Sequence, residues 1–253
     1  MINFKEDKSL KDYDSVSLAE TLRAHFVATY PVALTEQLGD AIQVASYLHR
    51  NDVRRGARGK SVTPPYIEHP LRVAIRLFKY FEVKDPTIIF AAILHDTVED
   101  HPFEFADFEG VLGTPNRTQE SEARKRALQF ISEHFGYATA SMVEDISNPI
   151  LPEGTTKEEK ISNYQEHVTA VVSRSDKAFI IKFSDFVDNA GSLHHHYEYD
   201  NPKVQYFVSR YSPLISLYHD VLASRTHPLF NEQKVWERLT EVEEHFKKFQ
   251  VHA

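Results

Sequence analysis

The run His95-Asp96-Thr97-Val98-Glu99-Asp100 places four titratable groups close together. On a helix, residues four apart share a face. His95 then falls in line with Glu99, and Asp96 with Asp100, in two adjacent rows. The run follows Ile88 to Leu94, the longest apolar stretch in the chain, so it closes a helix whose preceding turns are buried. Buried carboxylates are costly unless paired or bound to metal. Mixed imidazole and carboxylate donors suit Mn, Fe, Co, Ni or Zn better than Ca or Mg. His69 could complete such a shell, as could Asp185 in the segment IIKFSDFVDNA, where Asn189 follows four residues on. The competing reading is a helix terminus with ordinary surface charges, and a histidine–aspartate pair alone is weak evidence against it.

A second set of residues suits phosphate. Arg50, Arg54, Arg55, Arg58 and Lys60 crowd one segment of an acidic chain. Arginine binds phosphate in bidentate fashion and can stack on a base. Arg54 and Arg55 are read as a polyphosphate clamp, Arg58 and Lys60 as a solvated loop. His194, His195 and His196 invite a metal reading, but three consecutive helical residues cannot all face one ion, so they are read as surface. Trp236 and Phe246 are assigned to packing of the C-terminal helix.

These residues need helices to position them. Residues 1–14 read as a polar tail. Ser15 or Ser17 can cap a helix through Leu18, Leu22 and Phe26, and a second runs from about Leu34 to His49. Gly56, Gly59, Pro64 and Pro65 mark a loop over 50–65. His69-Pro70 opens a helix with Leu71, Ala74, Ile75 and Phe78 as its stripe. Asp85-Pro86 starts the next, PTIIFAAILHDTVED, apolar on nearly all sides to Leu94. Residues 101–120 look irregular and 147–156 form a loop. Further helices are predicted at 120–135, 137–146, 157–172, 176–192, 202–222 and 231–248. Ala178 to Phe183 is strand-like, yet a buried helix is preferred. The class is all-α.

Composition bounds the rest. The chain has 253 residues, 42% hydrophobic, enough for a sizeable core. Its formal charge of −8 argues against broad nucleic-acid binding and against a polybasic membrane surface. Cysteine is absent, which excludes disulfides and thiolate nucleophiles or ligands. The charged N-terminus lacks an apolar signal core, and no apolar run approaches the ~20 residues of a membrane span. A cytoplasmic protein is expected.

The order His69-Pro70, then Leu94-His95-Asp96-Thr97-Val98-Glu99-Asp100, then Lys182-Phe183-Ser184-Asp185 with Asn189, resembles the HD-domain superfamily of metal-dependent phosphohydrolases. Within it the chain resembles the alarmone-hydrolase branch of RelA/SpoT enzymes and the small stand-alone hydrolases. Tyr66-Ile67-Glu68-His69-Pro70, the segment His49 to Arg55, His134-Phe135-Gly136 through Ile146-Ser147-Asn148, and Tyr211-Ser212-Pro213-Leu214 carry further likeness. The likeness covers about 35–220. Asp52 stands where the family usually has Gln, and Arg55 where it has Lys. Phe183 and Ser184 replace Leu and Ala, and the Asp100–Phe135 segment is longer than typical.

The resemblance implies an all-α HD-domain helical bundle with extra helices at both ends. One domain would fill 1–253, with its core at 35–220 and flanking helices at 15–34 and 225–250. It implies that His69, His95, Asp96 and Asp185 bind one divalent metal, Mn²⁺ by family precedent, and that Glu99 and Asp100 act as catalytic acids or bases. Arg54, Arg55, Lys160, Asn189, Lys203 and Tyr206 would bind the substrate. The implied activity is hydrolysis of the 3′-pyrophosphate of guanosine or adenosine alarmones, (p)ppGpp or (p)ppApp, by a stand-alone enzyme. An antitoxin role against alarmone synthetases would accompany it. A broader nucleotide phosphohydrolase, acting for example on the 2′-phosphate of NADPH, and a catalytically silent nucleotide-binding regulator stay open beside it. The expected partner is a small-molecule nucleotide, with neither nucleic acid nor membrane. The flanking helices serve for packing or as a homo-oligomer interface.

Overall fold

Asp14, not a serine, opens the first helix. Its carboxylate accepts from the Ser17 amide at 2.7 Å and satisfies one of the unpaired N-terminal donors. In this computed structural model, which describes residues 9–56, 63–108, 120–224 and 232–251, the helices are α1 (Ser15–Thr29), α2 (Thr35–Leu48), α3 (Glu68–Phe81), α4 (Pro86–Leu94), α5 (Thr97–Asp100) and α6 (Glu120–Phe135). They continue as α7 (Tyr137–Ile146), α8 (Lys157–Arg174), α9 (Asp176–Asn189), α10 (Leu193–His196), α11 (Val204–Ser224) and α12 (Glu232–Val251). The described residues contain no strand. One isolated bridge, Val53 with Pro65, clasps the two ends of the basic loop. The fold is all-α, as the patterning implies.

Local chemistry sets the other boundaries. Asp85 caps α4 through the Thr87 amide, with Pro86 in the first turn. Thr156 and Glu159 form a reciprocal capping box on α8. Ser175 caps α9. Gly136 alone separates α6 from α7, and its φ of 87° lies in the left-handed region that glycine adopts freely.

Three expectations are corrected. The helix from Pro86 does not run unbroken to Asp100. It stops at Leu94, because His95 Nδ1 donates to the Ala92 carbonyl (2.8 Å) and Thr97 Oγ1 to that of Leu94 (2.7 Å). Side-chain donors thus take over carbonyls of the last turn, and α5 starts afresh. The helix predicted over 15–34 ends at Thr29, with Pro31 soon after and a short 3₁₀ turn at Val32–Leu34. The polar tail is also anchored: Leu10–Asp12 form a 3₁₀ turn, and Lys11 Nζ donates to Asp188 Oδ2 at 3.1 Å.

α4 lies at the centre, packed against α2, α3, α7 and α9, with every residue from Ile88 to Leu94 buried. α9 is buried from Ala178 to Asp188 and packs on α3 and α8. An aromatic cluster of Phe81, Phe179, Phe183, Phe186 and Tyr218 ties α3, α9 and α11 together. α12 covers the outside of α11 with Val235, Leu239, Val242, Phe246 and Phe249. No helix among the described residues is long and apolar enough to cross a membrane.

Candidate active site

Three buried helix segments meet at one point. α3 delivers His69 from its first turn, the break after α4 delivers His95 and Asp96, and α9 delivers Asp185. His69 Nε2 lies 3.1 Å from Asp185 Oδ1 and 3.5 Å from Asp96 Oδ2. His95 Nε2 lies 3.2 Å from Asp96 Oδ1 and 3.8 Å from Asp185 Oδ1, yet it is buried without a hydrogen-bond partner. The donor atoms of His69, His95 and Asp185 all fall within 4.8 Å of one another.

The surroundings fix which ring nitrogens face inward. His69 Nδ1 lies 2.7 Å from Asp188 Oδ2, and His95 Nδ1 bonds the Ala92 carbonyl. Each Nε2 is therefore the atom turned toward the carboxylates, the arrangement that outer partners give metal-binding histidines. Although burial opposes a charged ring, Asp96 and then Asp185 push the His95 imidazole up to about 10. Asp96 and Asp185 are held well below the ordinary carboxylate range, since their histidine partners outweigh burial. The cluster thus calls for positive charge at its centre. A divalent cation meets that demand, and the orphaned His95 Nε2 with its two carboxylates forms a fitting donor set.

Asp188, three residues beyond Asp185 on α9, is wholly buried among cations. Arg72 Nε and Arg76 Nη1 donate to it at 2.9 and 2.8 Å, beside Lys11 and His69. These charges hold it ionised despite burial. Two arginines four apart within the otherwise apolar run Leu71–Leu77 were the available signal.

Asp96 and Asp185 of the cluster line a cavity of about 380 Å³, while His69 and His95 stay buried beside it. Arg54, Arg55, Lys182 and Arg210 bring positive charge to its walls, and Tyr66, Tyr164, Tyr197 and Phe207 bring aromatic faces. Arg54 donates to Asn189 Oδ1, and Asn189 Nδ2 donates to Asp185 at 2.6 Å, so one relay fixes both residues. Arg55 stacks over Tyr197 at 4.6 Å. Tyr66 donates to Asp96 at 2.7 Å, and burial together with Asp96 keeps its phenol protonated.

Glu99 and Asp100 also line the cavity. Glu99 does not pair with His95; it accepts from the backbone and side-chain nitrogens of Asn148 at 3.0 and 2.8 Å. Asp100 sits exposed at the rim. Its carboxyl is pushed up to about 7, by desolvation first and then by Asp96 and Glu99. One side of it is open to solvent, so the two neighbouring negative charges are the durable part of that push.

Lys160 and Tyr206 line an adjoining hollow of about 180 Å³ that shares Glu99, Asn148, Tyr164 and Arg210 with the main cavity. Lys203 is exposed on the turn before α11 and lines neither space. Arg58 and Lys60 lie outside the described residues. His196 departs from the expected surface role: half-buried, it lines the cavity and bonds the Gly56 carbonyl at 3.1 Å. Arg210, stacked 3.8 Å over Tyr164, carried no spacing signal in the sequence.

No protein-family model matches the chain. The solved structure of a metazoan ortholog of SpoT aligns over 85% of this chain and 97% of that one, with a TM-score of 0.51 and 20% identity. The chain shares that fold. In sequence it is similar to the guanosine-3′,5′-bis(diphosphate) 3′-pyrophosphohydrolase MESH1 of Danio rerio, 39% identical over 79 residues, or 31% of this chain and 42% of that protein. MESH1 of Mus musculus is 28% identical over 158 residues, covering 62% and 69%. The pyrophosphohydrolase of Aquifex aeolicus (strain VF5) is 28% identical over 178 residues, 70% of this chain and 20% of that one. The chain thus spans well under half the length of the first of these relatives.

Proposed function

We propose that this protein is a metal-dependent phosphohydrolase that removes the 3′-pyrophosphate of guanosine or adenosine alarmones. One observation carries the reading: Asp96 and Asp185, paired with the buried His69 and His95, form with Glu99 and Asp100 an acidic side of a cavity that also has cationic and aromatic walls. Such a cavity suits a nucleotide with its pyrophosphate turned toward the cluster. The named activities of MESH1 from Danio rerio and Mus musculus agree with it.

His69, His95, Asp96 and Asp185 would hold the ion; the donor set suits Mn, Fe, Co, Ni or Zn, and Mn²⁺ is the choice the family resemblance implies. When bound, a divalent ion polarises a phosphoryl oxygen and lowers the pKa of water. Arg54, Arg55 and Lys182 take up phosphate charge, with the planar guanidinium of Arg54 held in place by Asn189. The aromatic wall receives the base. Asp100, near neutrality, accepts the proton of the attacking water as the bond between phosphorus and the ribose 3′ oxygen breaks. Asp100 then returns that proton to the ribose oxygen, directly or through solvent, so it leaves as a 3′-hydroxyl and pyrophosphate is released. Glu99, held by Asn148, orients the water beside it. Lys160 and Tyr206 in the adjoining hollow would meet the outer phosphates or sugar.

The test is pyrophosphate release from guanosine and adenosine 3′-pyrophosphates with added Mn²⁺, for wild type beside Asp96→Asn. The substitution is expected to lower turnover ~100-fold or more. Folded, metal-loaded protein that releases no pyrophosphate but cleaves phosphate from NADPH would move the reading to a monoesterase. Binding without turnover would move it to a regulator. Rescue of cells from a toxic alarmone synthetase by co-expression checks the antitoxin role.

A further inference from the structure

A second set of metal-type donors lies outside the cluster just described. His49 at the end of α2, Asp52 in the following turn and His101 after α5 converge at the edge of the bundle. His101 Nε2 lies 2.6 Å from Asp52 Oδ2, His49 Nδ1 lies 2.9 Å from the same oxygen, and the two ring nitrogens are 3.1 Å apart. Ligands at about 2.1 Å on adjacent corners of an octahedron are about 3.0 Å apart. The three atoms form a triangle of that size.

We propose that His49, Asp52 and His101 form a second binding site for a divalent transition-metal ion. Two imidazoles and one carboxylate on one face of the coordination sphere favour Mn, Fe, Co, Ni or Zn over Ca or Mg. One outer contact holds each ring, although the buried His49 Nε2 has no hydrogen-bond partner. The His101 ring is braced at Nδ1 by Glu104 at 3.5 Å, and the His49 ring is stacked on Tyr66 at 4.3 Å. The His49 side chain is 1% exposed, while those of His101 and Asp52 are 15% and 36% exposed, so the ion enters from solvent and retains open positions. The Tyr66 ring separates this triad from the first cluster, and its hydroxyl donates to Asp96. Asp52 is decisive, since the Gln usual at this position in the resembled family has no anionic oxygen.

Equilibrium dialysis against Co²⁺, whose visible bands report coordination, tests the proposal on wild type, Asp52→Gln, His101→Gln and Asp185→Asn. The two triad variants are each expected to bind one equivalent fewer than wild type, and Asp185→Asn to keep the triad's equivalent and its bands. The partly exposed positions make both triad substitutions compatible with the fold. Co²⁺ content equal to wild type in either triad variant overturns the proposal. Asp185→Asn binding as much as wild type would instead count against the His69 cluster, leaving the triad to be judged by its own variants.

Discussion

Asp188 holds two functions in one carboxylate. It pairs with Arg72, Arg76 and Lys11 in a buried region, and it orients the His69 ring. Removing one partner of a buried ion pair leaves uncompensated charge, so Asp188→Asn is expected to destabilise the protein by about 3–5 kcal/mol in denaturant titrations. In whatever fraction stays folded, metal affinity should fall by about 10–100-fold, because His69 loses its acceptor. Asp100 offers a pH test. As a base it must be ionised, so kcat/KM should rise as pH increases through its pKa, at or somewhat below about 7 once a bound cation draws it down. Asp100→Asn should abolish that limb of the profile. At this scale the sequence was most legible where chemistry forced unusual neighbours, as in His95-Asp96 after seven apolar residues. It was least legible for Asn148 and Arg210, whose roles come from helices far away in the chain.

Helix positions were readable because apolar periodicity and caps both mark them: Thr156 with Glu159, Asp85 with Pro86, and Gly136 between α6 and α7. The break at His95 was not, because periodicity does not show that a histidine and a threonine will take the carbonyls of the preceding turn. The N-terminal 3₁₀ turn was missed for a similar reason: Lys11 looks solvated until Asp188 is placed beside it. Burial lowers the Lys11 ammonium to about 7, outweighing Asp188, with Arg72, Arg54 and Arg76 adding to the effect. In the unfolded chain it titrates near 10.5. Between those values the unfolded state binds the extra proton, so this group's contribution to stability grows as pH rises from about 7 to about 10.5 and is lost below. The stability difference between wild type and Lys11→Met should therefore shift in favour of wild type across that window, by ~1 kcal/mol or more. A difference that stays flat with pH would mean Lys11 keeps its proton.

For the whole molecule, the donor cluster joins α3, the α4–α5 break and α9, so filling it should stiffen the bundle. Mn²⁺ at 100 times its Kd stabilises a folded protein that binds it by about 2.7 kcal/mol. The melting temperature should rise by roughly 5–10 °C in wild type and by less in Asp185→Asn, where only the His49–Asp52–His101 triad is left to take the ion. A chelator should reverse the gain. The all-α class followed from composition and periodicity, whereas the way the helices stack did not. The Phe81–Phe179–Phe183–Tyr218 cluster that seats α9 depends on contacts between segments distant in sequence.

The Asp188 cage also constrains the order of assembly. Lys11 lies 177 residues from Asp188 in the chain, Arg72 lies 116 away and His69 lies 119 away. Contacts of such separation form late, after local helices, because the intervening chain must first be closed into large loops. A half-assembled chain can thus hold helical α3 and α9 while His69 still lacks its acceptor. The capacity to bind metal arrives with the last docking step, and a refolding experiment should see the two appear together.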